Sequence, residues 1–305
     1  MCYNLAMLSK LSVVINTQNS EADLTKCLSS VKSLADEIVV IDQSSTDKTV
    51  EIAKKFGAKI FNHESVEYVE KTRNFAIKKA SCEWVLILDP DEEIPQSLSK
   101  KIKGLIKNGR GDYYRIPRKN IIFNKWIEHT LWWPDYQIRL FKKGHVSWTE
   151  IIHSVPTTQG NGVDLPQKEE YAILHHNYDF IDQYLGKMNR YTGVQSKILL
   201  ESGYKFKWKD LLIKPSREFI NRYFVGCGYK DGIHGLLLSL LQSFSELVVY
   251  AKVWQSGKFE EENIEVGDVL NQMKEIEKDI HYWQNDSLFN ETGSFSAMIK
   301  RRLRI

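Results

Sequence analysis

The sequence lacks the features that mark secreted, zinc-stapled or membrane-spanning proteins. Its four cysteines form no CxxC pair, and the opening segment MCYNLAMLSK has too short an apolar run for a secretory signal. We therefore expect a reducing, cytoplasmic setting and no structural zinc. No run of 18 uninterrupted apolar residues occurs, so we also predict that no segment spans a membrane.

Neither sign of charge is in large excess. The 305 residues include 42 Lys and Arg against 39 Asp and Glu, which gives a net charge of +3. This charge is too small to indicate nucleic acid as a partner, and we expect none. Because 42% of the residues are hydrophobic, the chain can build an ordinary core without disulfides or metals.

The first hundred residues alternate between short apolar runs and segments with helical spacing. Strands are predicted at 11–15, 37–42, 58–62 and 83–88, and a helix follows each of the first three. Alternation of this kind is typical of a parallel, doubly wound sheet, in which ligands bind beyond the carboxyl ends of the strands.

The pattern changes after Gly111. The segments DYYRIPRKNIIFN and YQIRLFKKGHVSW predict strands that are partly antiparallel, and the chain becomes mostly helical beyond His175. Helices are expected near 180–202, 208–224, 232–254 and 264–284. We therefore place a domain boundary near residue 178.

Acidic residues cluster where the fourth predicted strand ends. In WVLILDPDEEIP, Asp89 and Asp91 flank one residue directly after a buried strand, and Asp42 ends another predicted parallel strand. Two such carboxylates can hold a divalent cation, which can neutralise a diphosphate. Oxygen ligands favour magnesium or manganese over zinc. The competing interpretation is an acidic turn that opens a helix, with Pro95 near its first position.

Four stretches in order make the sequence resemble the family 2 glycosyltransferases: LSVVINTQNS, EIVVIDQSSTDKT, EKTRNFAI and EWVLILDPDEE. The resemblance continues more weakly through PDYQIRLFKKG and IIHS, where it is similar to the branch with bacterial lipopolysaccharide-core β-glucosyltransferases. It implies a GT-A fold, which is α/β and Rossmann-like, with a mostly parallel sheet flanked by helices. The implied catalytic domain is 1–178, with a nucleotide-sugar half at about 11–95 and an acceptor half at about 96–178. Residues 179–305 form a mainly helical C-terminal extension.

The resemblance implies which residues contact the nucleotide. Asn16, Thr17 and Asn19 match the loop after the family's first strand, although the tyrosine and proline common in that loop are missing here. Asp42 matches the acid that accepts a hydrogen bond from the base, usually uracil. The donor implied by the family is therefore a nucleoside-diphosphate sugar, with UDP-sugar favoured.

The diphosphate and the metal are assigned by the same resemblance. Arg73 matches a basic residue near the nucleotide or its phosphates, with a solvated helix arginine as the alternative. Asp89 matches the first acid of the DxD motif, near the ribose, and Asp91 matches the acid that binds Mn2+ or Mg2+. Asp89 and His153 are candidate further metal ligands. We expect the acids, with Glu92 beside them, to repel one another and loosen the loop until cation and diphosphate are bound.

The predicted general base is Asp135, which stands four residues before Arg139 in WWPDYQIRLFKKG. The family places an acid before an arginine-bearing element and turns that acid toward the acceptor. Partial burial is expected to raise the pKa of Asp135 toward the working range of a base. Glu150 is the alternative base, and a turn-capping role after Pro134 is the alternative function of Asp135.

Aromatic residues cluster in KWIEHTLWWPDY, which contains Trp126, Trp132, Trp133 and Tyr136. Flat rings stack on sugar faces, so this segment is a candidate acceptor platform. Packing of an irregular lobe explains the same residues equally well.

The resemblance implies an inverting glycosyltransferase, a hexosyltransferase of bacterial cell-surface glycan or lipopolysaccharide synthesis. Its partners are a nucleotide-sugar donor and a glycan or lipid-linked acceptor. One alternative is a sugar-nucleotide-binding protein without transferase activity. The other is a sugar nucleotidyltransferase, which the glycine-free segment NTQNSEAD after the first strand disfavours.

The C-terminal region contains an apolar segment and two basic ones. In LLLSLLQSFSELVVYAKVW (236–254) 13 of 19 residues are apolar, and the polar ones recur at helical spacing. KFKWKDLLIKPSREFINR and the final KRRLRI are basic. Together they indicate peripheral contact with the inner face of the plasma membrane. The alternatives are packing on the catalytic domain and homo-oligomer formation through the C-terminal helices.

Overall fold

The computed structural model describes residues 10–66, 70–149 and 156–303. The described chain divides into two compact units. The first comprises the described residues within 1–121 and 134–177, and the second those within 122–133 and 178–305.

In the first unit, strands and helices alternate as predicted up to Asn108. The strands of the described sheets are β1 (Leu11–Thr17), β2 (Glu37–Asp42), β3 (Lys59–Asn62), β4 (Trp84–Leu88), β5 (Glu92–Glu93), β6 (Tyr113–Ile122), β7 (Lys125–Trp126), β8 (Asp135–Lys142), β9 (Val146–Ser147), β10 (Thr157–Thr158), β11 (Gly162–Asp164) and β12 (Ile173–Tyr178). The helices of the first unit are α1 (Leu24–Val31), α2 (Thr49–Lys55), α3 (Glu70–Lys79) and α4 (Gln96–Asn108), followed by a 3₁₀ turn at Glu169–Tyr171.

The main sheet runs in the order β3-β2-β1-β4-β8-β6-β12-β5, with β11 paired to β6. The pairs β1–β2, β2–β3 and β1–β4 are parallel. The pairs β4–β8, β6–β8 and β12–β5 are antiparallel. This mixed sheet, flanked by helices and followed by a helical C-terminal region, confirms the predicted fold class.

The near-continuous apolar runs of the first strands are explained by burial on both faces of the sheet. Leu11, Val13 and Ile15 of β1 pack into one core cluster with residues of α1 and α4. Val14, between them, packs into the opposite cluster with residues of α3. A one-residue slip would move every side chain to the other face. The observed register sets Thr17 of β1 beside Asp42 of β2.

The second unit is helical. Its helices are α5 (Ile181–Glu201), α6 (Asp210–Ile220), α7 (Ile233–Ser256), α8 (Val266–Thr292) and α9 (Phe295–Leu303). A π-helical turn at Asn221–Val225 and a 3₁₀ turn at Gly228–Asp231 join α6 to α7. Four of these helices lie where the periodicity predicts them. Helix α8 runs eight residues past its predicted end at 284, and α9 was not predicted.

Helix α7 turns its polar residues toward its neighbours in the second unit. The Gln242 amide donates a hydrogen bond to the Tyr184 hydroxyl at 2.7 Å, and the Ser243 hydroxyl donates to the Pro215 carbonyl at 2.8 Å. Burial raises the pKa of Glu246 above its usual range, and the charge of Glu218 adds to the shift. The polar stripe of α7 therefore faces protein rather than water.

The opposite side of α7 is apolar and exposed. Ile233, Leu240 and Phe244 are 72%, 50% and 47% exposed. In the part of the chain that the structure describes, α7 is also the one helix whose length and apolar composition would suffice to cross a membrane. Uninterrupted apolar runs did not indicate this, because single polar residues interrupt the helix at each turn.

Candidate active site

Polar side chains are buried at the carboxyl ends of β1 and β2. Asn16, Thr17 and Asp42 are 2%, 2% and 5% exposed. The side-chain oxygen Oδ1 of Asn16 accepts a hydrogen bond from the Thr72 hydroxyl at 3.2 Å, and Asp42 Oδ2 accepts one from the Ser45 backbone amide at 3.2 Å. Within residues 10–66, 70–149 and 156–303, three further atoms of this group have no hydrogen-bond partner: Asn16 Nδ2, Thr17 Oγ1 and Asp42 Oδ1. Buried polar atoms are normally paired, so these three are suited to a ligand.

Hydrogen bonds join the loop after β1 to the loop after β2. Asn19, with φ of +47°, accepts a hydrogen bond from the Thr46 amide on its side-chain oxygen at 2.8 Å and donates its own amide to Ser45 Oγ at 2.9 Å. Further backbone amides donate to side chains across the two loops, namely those of Ser20 to Thr49, Glu21 to Asp47, and Lys48 to Glu21. The side-chain oxygen of Asn19 thus holds the two loops together.

Asp89, at the end of β4, lies between two buried arginines. Arg73 Nη2 is 3.0 Å from Asp89 Oδ1, and Arg139 Nη2 donates to Asp89 Oδ2. Burial raises the pKa of the Asp89 carboxyl, but Arg139 and Arg73 outweigh burial and hold that pKa well below its usual range. Arg73 is itself 6% exposed and lies over the Trp148 ring. It is therefore not the solvated helix arginine of the alternative interpretation.

Glu92 is the central anion of the cluster and is fully buried. Its Oε1 accepts hydrogen bonds from Arg139 Nη2 at 2.6 Å and Arg118 Nη1 at 3.3 Å, while its Oε2 accepts from the Asp89 backbone amide at 3.0 Å. The neighbouring Glu93 is paired with His176 at 2.7 Å. For Asp89 and Glu92 the expectation of mutual repulsion until a ligand arrives is wrong, because arginines of the chain itself compensate both carboxylates.

Asp135, at the start of β8, is an ionised and well-partnered carboxylate. It accepts hydrogen bonds from Arg118 Nε at 2.8 Å, Gln137 Nε2 at 2.8 Å and Asn120 Nδ2 at 3.3 Å. Burial raises its pKa, but the Arg118 charge and the hydrogen bonds from Gln137 and Asn120 more than offset burial. The net pKa lies below the ordinary value, so the predicted upward shift is wrong in sign.

Asp91 lies beside a histidine of β12. His175 Nε2 is 3.6 Å from Asp91 Oδ2, which is too long for a hydrogen bond. The other ring nitrogen, Nδ1, is 2.6 Å from Asn120 Oδ1. The backbone carbonyl of Asp91 accepts the His176 amide at 2.9 Å. Pairing of β12 with β5, in which His175 stands opposite Glu92, thus brings this histidine to the acidic turn.

Two predicted residues, His153 and Glu150, lie outside the described residues. Among the residues that are described, no group of three or more His, Cys, Asp or Glu side chains is arranged to hold a metal ion. Asp91 and His175 are a pair of residues whose side chains carry atoms of the kind that bind metals. The carboxylate of Asp89, a candidate further ligand, is taken up by two guanidinium groups.

The aromatic segment lies mostly in the second unit. Trp126 and Trp133 meet edge to face with ring centroids 5.4 Å apart. Trp132 packs against the apolar cluster of that unit, and the Arg222 guanidinium lies over its ring. Tyr136, in the first unit, donates its hydroxyl to the Leu165 carbonyl at 2.8 Å. Trp132 and Tyr136 therefore have packing roles.

No function was assigned from the sequence to four residues of the site: Arg118, Asn120, Arg139 and His175. Each lies on a strand, and three of them, Asn120, Arg139 and His175, are buried. A charge or amide on the inward face of a strand was the available signal, because such a group needs a partner.

Comparisons with known proteins show what this chain is similar to. The profile of glycosyl transferase family 2 matches residues 12–158. An uncharacterized glycosyltransferase of Rickettsia typhi is 30% identical over 81% of this chain and 87% of its own length. The lipopolysaccharide core biosynthesis glycosyltransferase LpsC of Rhizobium meliloti is 24% identical over 80% of this chain and 92% of its own.

Solved structures are more distant. Glucosyl-3-phosphoglycerate synthase of Mycobacterium tuberculosis, crystallised with Mn2+, UDP and glucosyl-3-phosphoglycerate, is 17% identical. The alignment covers 64% of this chain and 81% of that one, with a TM-score of 0.40.

Proposed function

Since this chain belongs to glycosyl transferase family 2, we propose that it is an inverting enzyme that moves a sugar from UDP to an acceptor hydroxyl. The acceptor oxygen attacks the anomeric carbon as the bond from that carbon to the diphosphate breaks. The hydroxyl proton passes to a carboxylate, and no sugar–enzyme intermediate forms. The carrying observation is the set of buried, unpartnered atoms of Asn16, Thr17 and Asp42 at the ligand-binding edge of the sheet.

The nucleotide occupies that edge in the proposal. Asp42 Oδ1 accepts the imide N–H of uracil, while Asn16 Nδ2 donates to a nucleotide oxygen. Each buried polar atom without a partner costs about 1–3 kcal/mol. A ligand that pairs them therefore recovers stability which the free protein lacks.

The cation belongs at Asp91 and His175. The Asp91 carboxylate supplies the oxygen ligand that Mn2+ and Mg2+ prefer, and the His175 imidazole supplies a nitrogen that can bind a divalent transition metal such as Mn2+. When bound, the metal neutralises the leaving diphosphate. Asp89 keeps Arg73 and Arg139 in place at the neighbouring strand end, where their positive charges face the same carboxylate cluster. His153 is a further candidate ligand.

Asp135 is the proposed base, and Glu150 is its rival. The Asp135 carboxylate is 20% exposed and ionised at neutral pH, as a base requires, although its Arg118 partner weakens its affinity for a proton. Asp135→Asn and Glu150→Gln are compared for sugar transfer and for donor affinity. The base variant should lose transfer by about two to four orders of magnitude and still bind donor. If Asp135→Asn transfers sugar at a near-normal rate while Glu150→Gln is inactive, Glu150 is the base.

UDP release tests the activity as a whole. The protein is incubated with a panel of UDP-sugars and Mn2+, and free UDP and free sugar are measured. A parallel incubation with added pyrophosphate is assayed for UTP and sugar 1-phosphate. We expect UDP and sugar from at least one donor, and none from Asp91→Asn at unchanged thermal stability. Binding of a donor without any release indicates a binding protein, whereas UTP and sugar 1-phosphate formed from UDP-sugar and pyrophosphate indicate a nucleotidyltransferase. Full activity of Asp91→Asn, or of wild type in excess chelator, refutes the metal assignment.

The acceptor is proposed to be a bacterial cell-surface glycan, or lipopolysaccharide precursor, at a membrane. The name of the Rhizobium meliloti relative supports this class. Within the second unit, the exposed apolar side of α7 supports contact with lipid, because its polar side is already packed on protein. The exposed Lys205 and Lys207 flank Phe206, which stacks on Trp254 near the end of α7. Cations beside an apolar surface favour an anionic bilayer.

Vesicle flotation tests the membrane contact. Wild type should float with vesicles rich in phosphatidylglycerol at low salt and lose binding as salt rises. The double variant Leu240→Gln, Phe244→Gln should lose flotation. The control is Leu270→Gln, Met273→Gln on α8, where the exposed fractions are similar, at 52% and 54%. Flotation that is absent, or equally reduced in both double variants, contradicts contact through α7. Self-association measured by sedimentation, if lost in Leu240→Gln, Phe244→Gln and kept in the α8 control, would then identify α7 as a homo-oligomer contact.

A further inference from the structure

Asn120 lies between the proposed base and the proposed metal pair. It is fully buried on β6. Its Nδ2 donates to Asp135 Oδ2 at 3.3 Å, and its Oδ1 faces His175 Nδ1 at 2.6 Å. Beyond His175, Nε2 is 3.6 Å from Asp91 Oδ2. One amide therefore connects the two ends of the site.

The acceptors in the chain Asp135–Asn120–His175 determine which nitrogen atoms carry hydrogen. An ionised carboxylate can only accept, so the Asn120 group that faces Asp135 is the NH2. The amide oxygen is then left for His175, and because an amide oxygen can only accept, Nδ1 of His175 carries the proton. In the neutral ring Nε2 is consequently bare, with its lone pair available toward Asp91.

We infer that Asn120 is a positioning residue that holds His175 in the tautomer required for metal binding beside Asp91. Metal-ligating histidines are oriented by the hydrogen bond that the other ring nitrogen makes, and loss of such a partner typically costs 10–100-fold in metal affinity. Asn120 supplies that bond, and Asp135 orients Asn120 in turn. The inference rests on the proposed metal site at Asp91 and His175.

The tautomer is measured directly in the metal-free protein. Nitrogen-15 NMR of histidine-labelled protein, with the His175 signals assigned by comparison with His175→Gln, reports which ring nitrogen carries the proton at a pH where the ring is neutral. We expect the Nδ1–H form in wild type and a mixture of forms in Asn120→Leu, which preserves volume and removes the acceptor. An Nε2–H ring in wild type overturns the inference.

Metal affinity is measured separately, from the electron paramagnetic resonance signal of free Mn2+ titrated with protein, with and without UDP. Asn120→Leu should bind Mn2+ about 10–100-fold more weakly. The charge-conserving swap Asn120→Asp, Asp135→Asn keeps an acceptor for Nδ1 and an amide–carboxylate pair, and it should retain affinity. His176→Gln is the matched histidine control and should bind as wild type does. Equal loss in Asn120→Leu and in the swapped variant, or no loss in Asn120→Leu, contradicts the positioning role. Unchanged affinity in both His175→Gln and Asp91→Asn instead refutes the metal site of the proposed function.

Discussion

Replacement of Glu92 by glutamine tests whether the buried charge network holds the first unit together. The substitution preserves volume and leaves one oxygen for Arg139. It removes the negative charge shared by Arg139 and Arg118 and places an NH2 group where Oε2 now accepts the Asp89 amide at 3.0 Å. The backbone amide of Asp89 then lacks an acceptor, and the guanidinium groups of Arg118 and Arg139 lose an anion.

The expected loss can be worked out from these contacts. An unsatisfied buried donor costs about 1–3 kcal/mol, and removal of one member of a buried ion pair costs about 3–5 kcal/mol in all. Asp89 remains as a partner of Arg139, so the lower end of that range applies. We therefore expect Glu92→Gln to lower the free energy of unfolding by about 3 kcal/mol.

Urea denaturation followed by tryptophan fluorescence measures this loss, since Trp84 is buried in the same unit. Asp164→Asn is the matched control, because the Arg115–Asp164 pair is 51% and 43% exposed and should contribute under about 1 kcal/mol. Unfolding of Glu92→Gln within about 1 kcal/mol of wild type, or a loss no greater than that of Asp164→Asn, refutes the reasoning about buried charge.

Two further predictions concern acid stability and close packing. Burial raises the pKa of Glu37, but hydrogen bonds from Lys59, Ser12 and Ser81 outweigh burial and lower this pKa from 4.5 to about 2. Because the pKa is lower in the folded state, the stabilisation is present above pH 4.5 and is lost as the pH falls toward 2. Glu37→Gln should therefore flatten the fall in unfolding free energy across that interval, and an unchanged slope would count against the assignment. In the second unit, a Cβ at Gly235 would lie 1.8 Å from the Gly228 carbonyl oxygen, whereas one at Gly186 meets nothing within 4 Å. Gly235→Ala should thus destabilise by at least about 1–3 kcal/mol, and Gly186→Ala should stabilise by about 0.5–1 kcal/mol; similar melting curves would show that α7 can shift without penalty.

The parallel half of the sheet was predictable from sequence because its signals are local. Apolar runs of five or six residues, the first three of them followed by a helical segment, predict parallel strands and place polar residues at their carboxyl ends. Asn16 and Asp42 were placed at strand ends in this way, and the structure puts Thr17, the residue after Asn16, beside Asp42. Their assignment to a nucleotide rests on the family resemblance and stays a prediction.

The antiparallel half was not predictable to the same depth. Arg118, Arg139 and His175 reach the acidic turn only because β6, β8 and β12 pair in a particular order and register, which depends on contacts between residues far apart in sequence. The error in the pKa direction of Asp135 has the same origin. Its burial was foreseeable, but the arginine that outweighs burial lies 17 residues away, on the neighbouring strand.

The hydrogen bonds that join the loops after β1 and β2 also limit how a phosphate can be bound at the carboxyl ends of these strands. A glycine-rich loop cradles phosphate with backbone amides that point at the ligand. Here the amides of Asn19, Ser20 and Glu21 already donate to side chains of the opposite loop, so they are not available as an anion nest. In the proposed complex with a UDP-sugar, the diphosphate charge would then be met by side-chain cations or by a metal rather than by backbone amides of these loops.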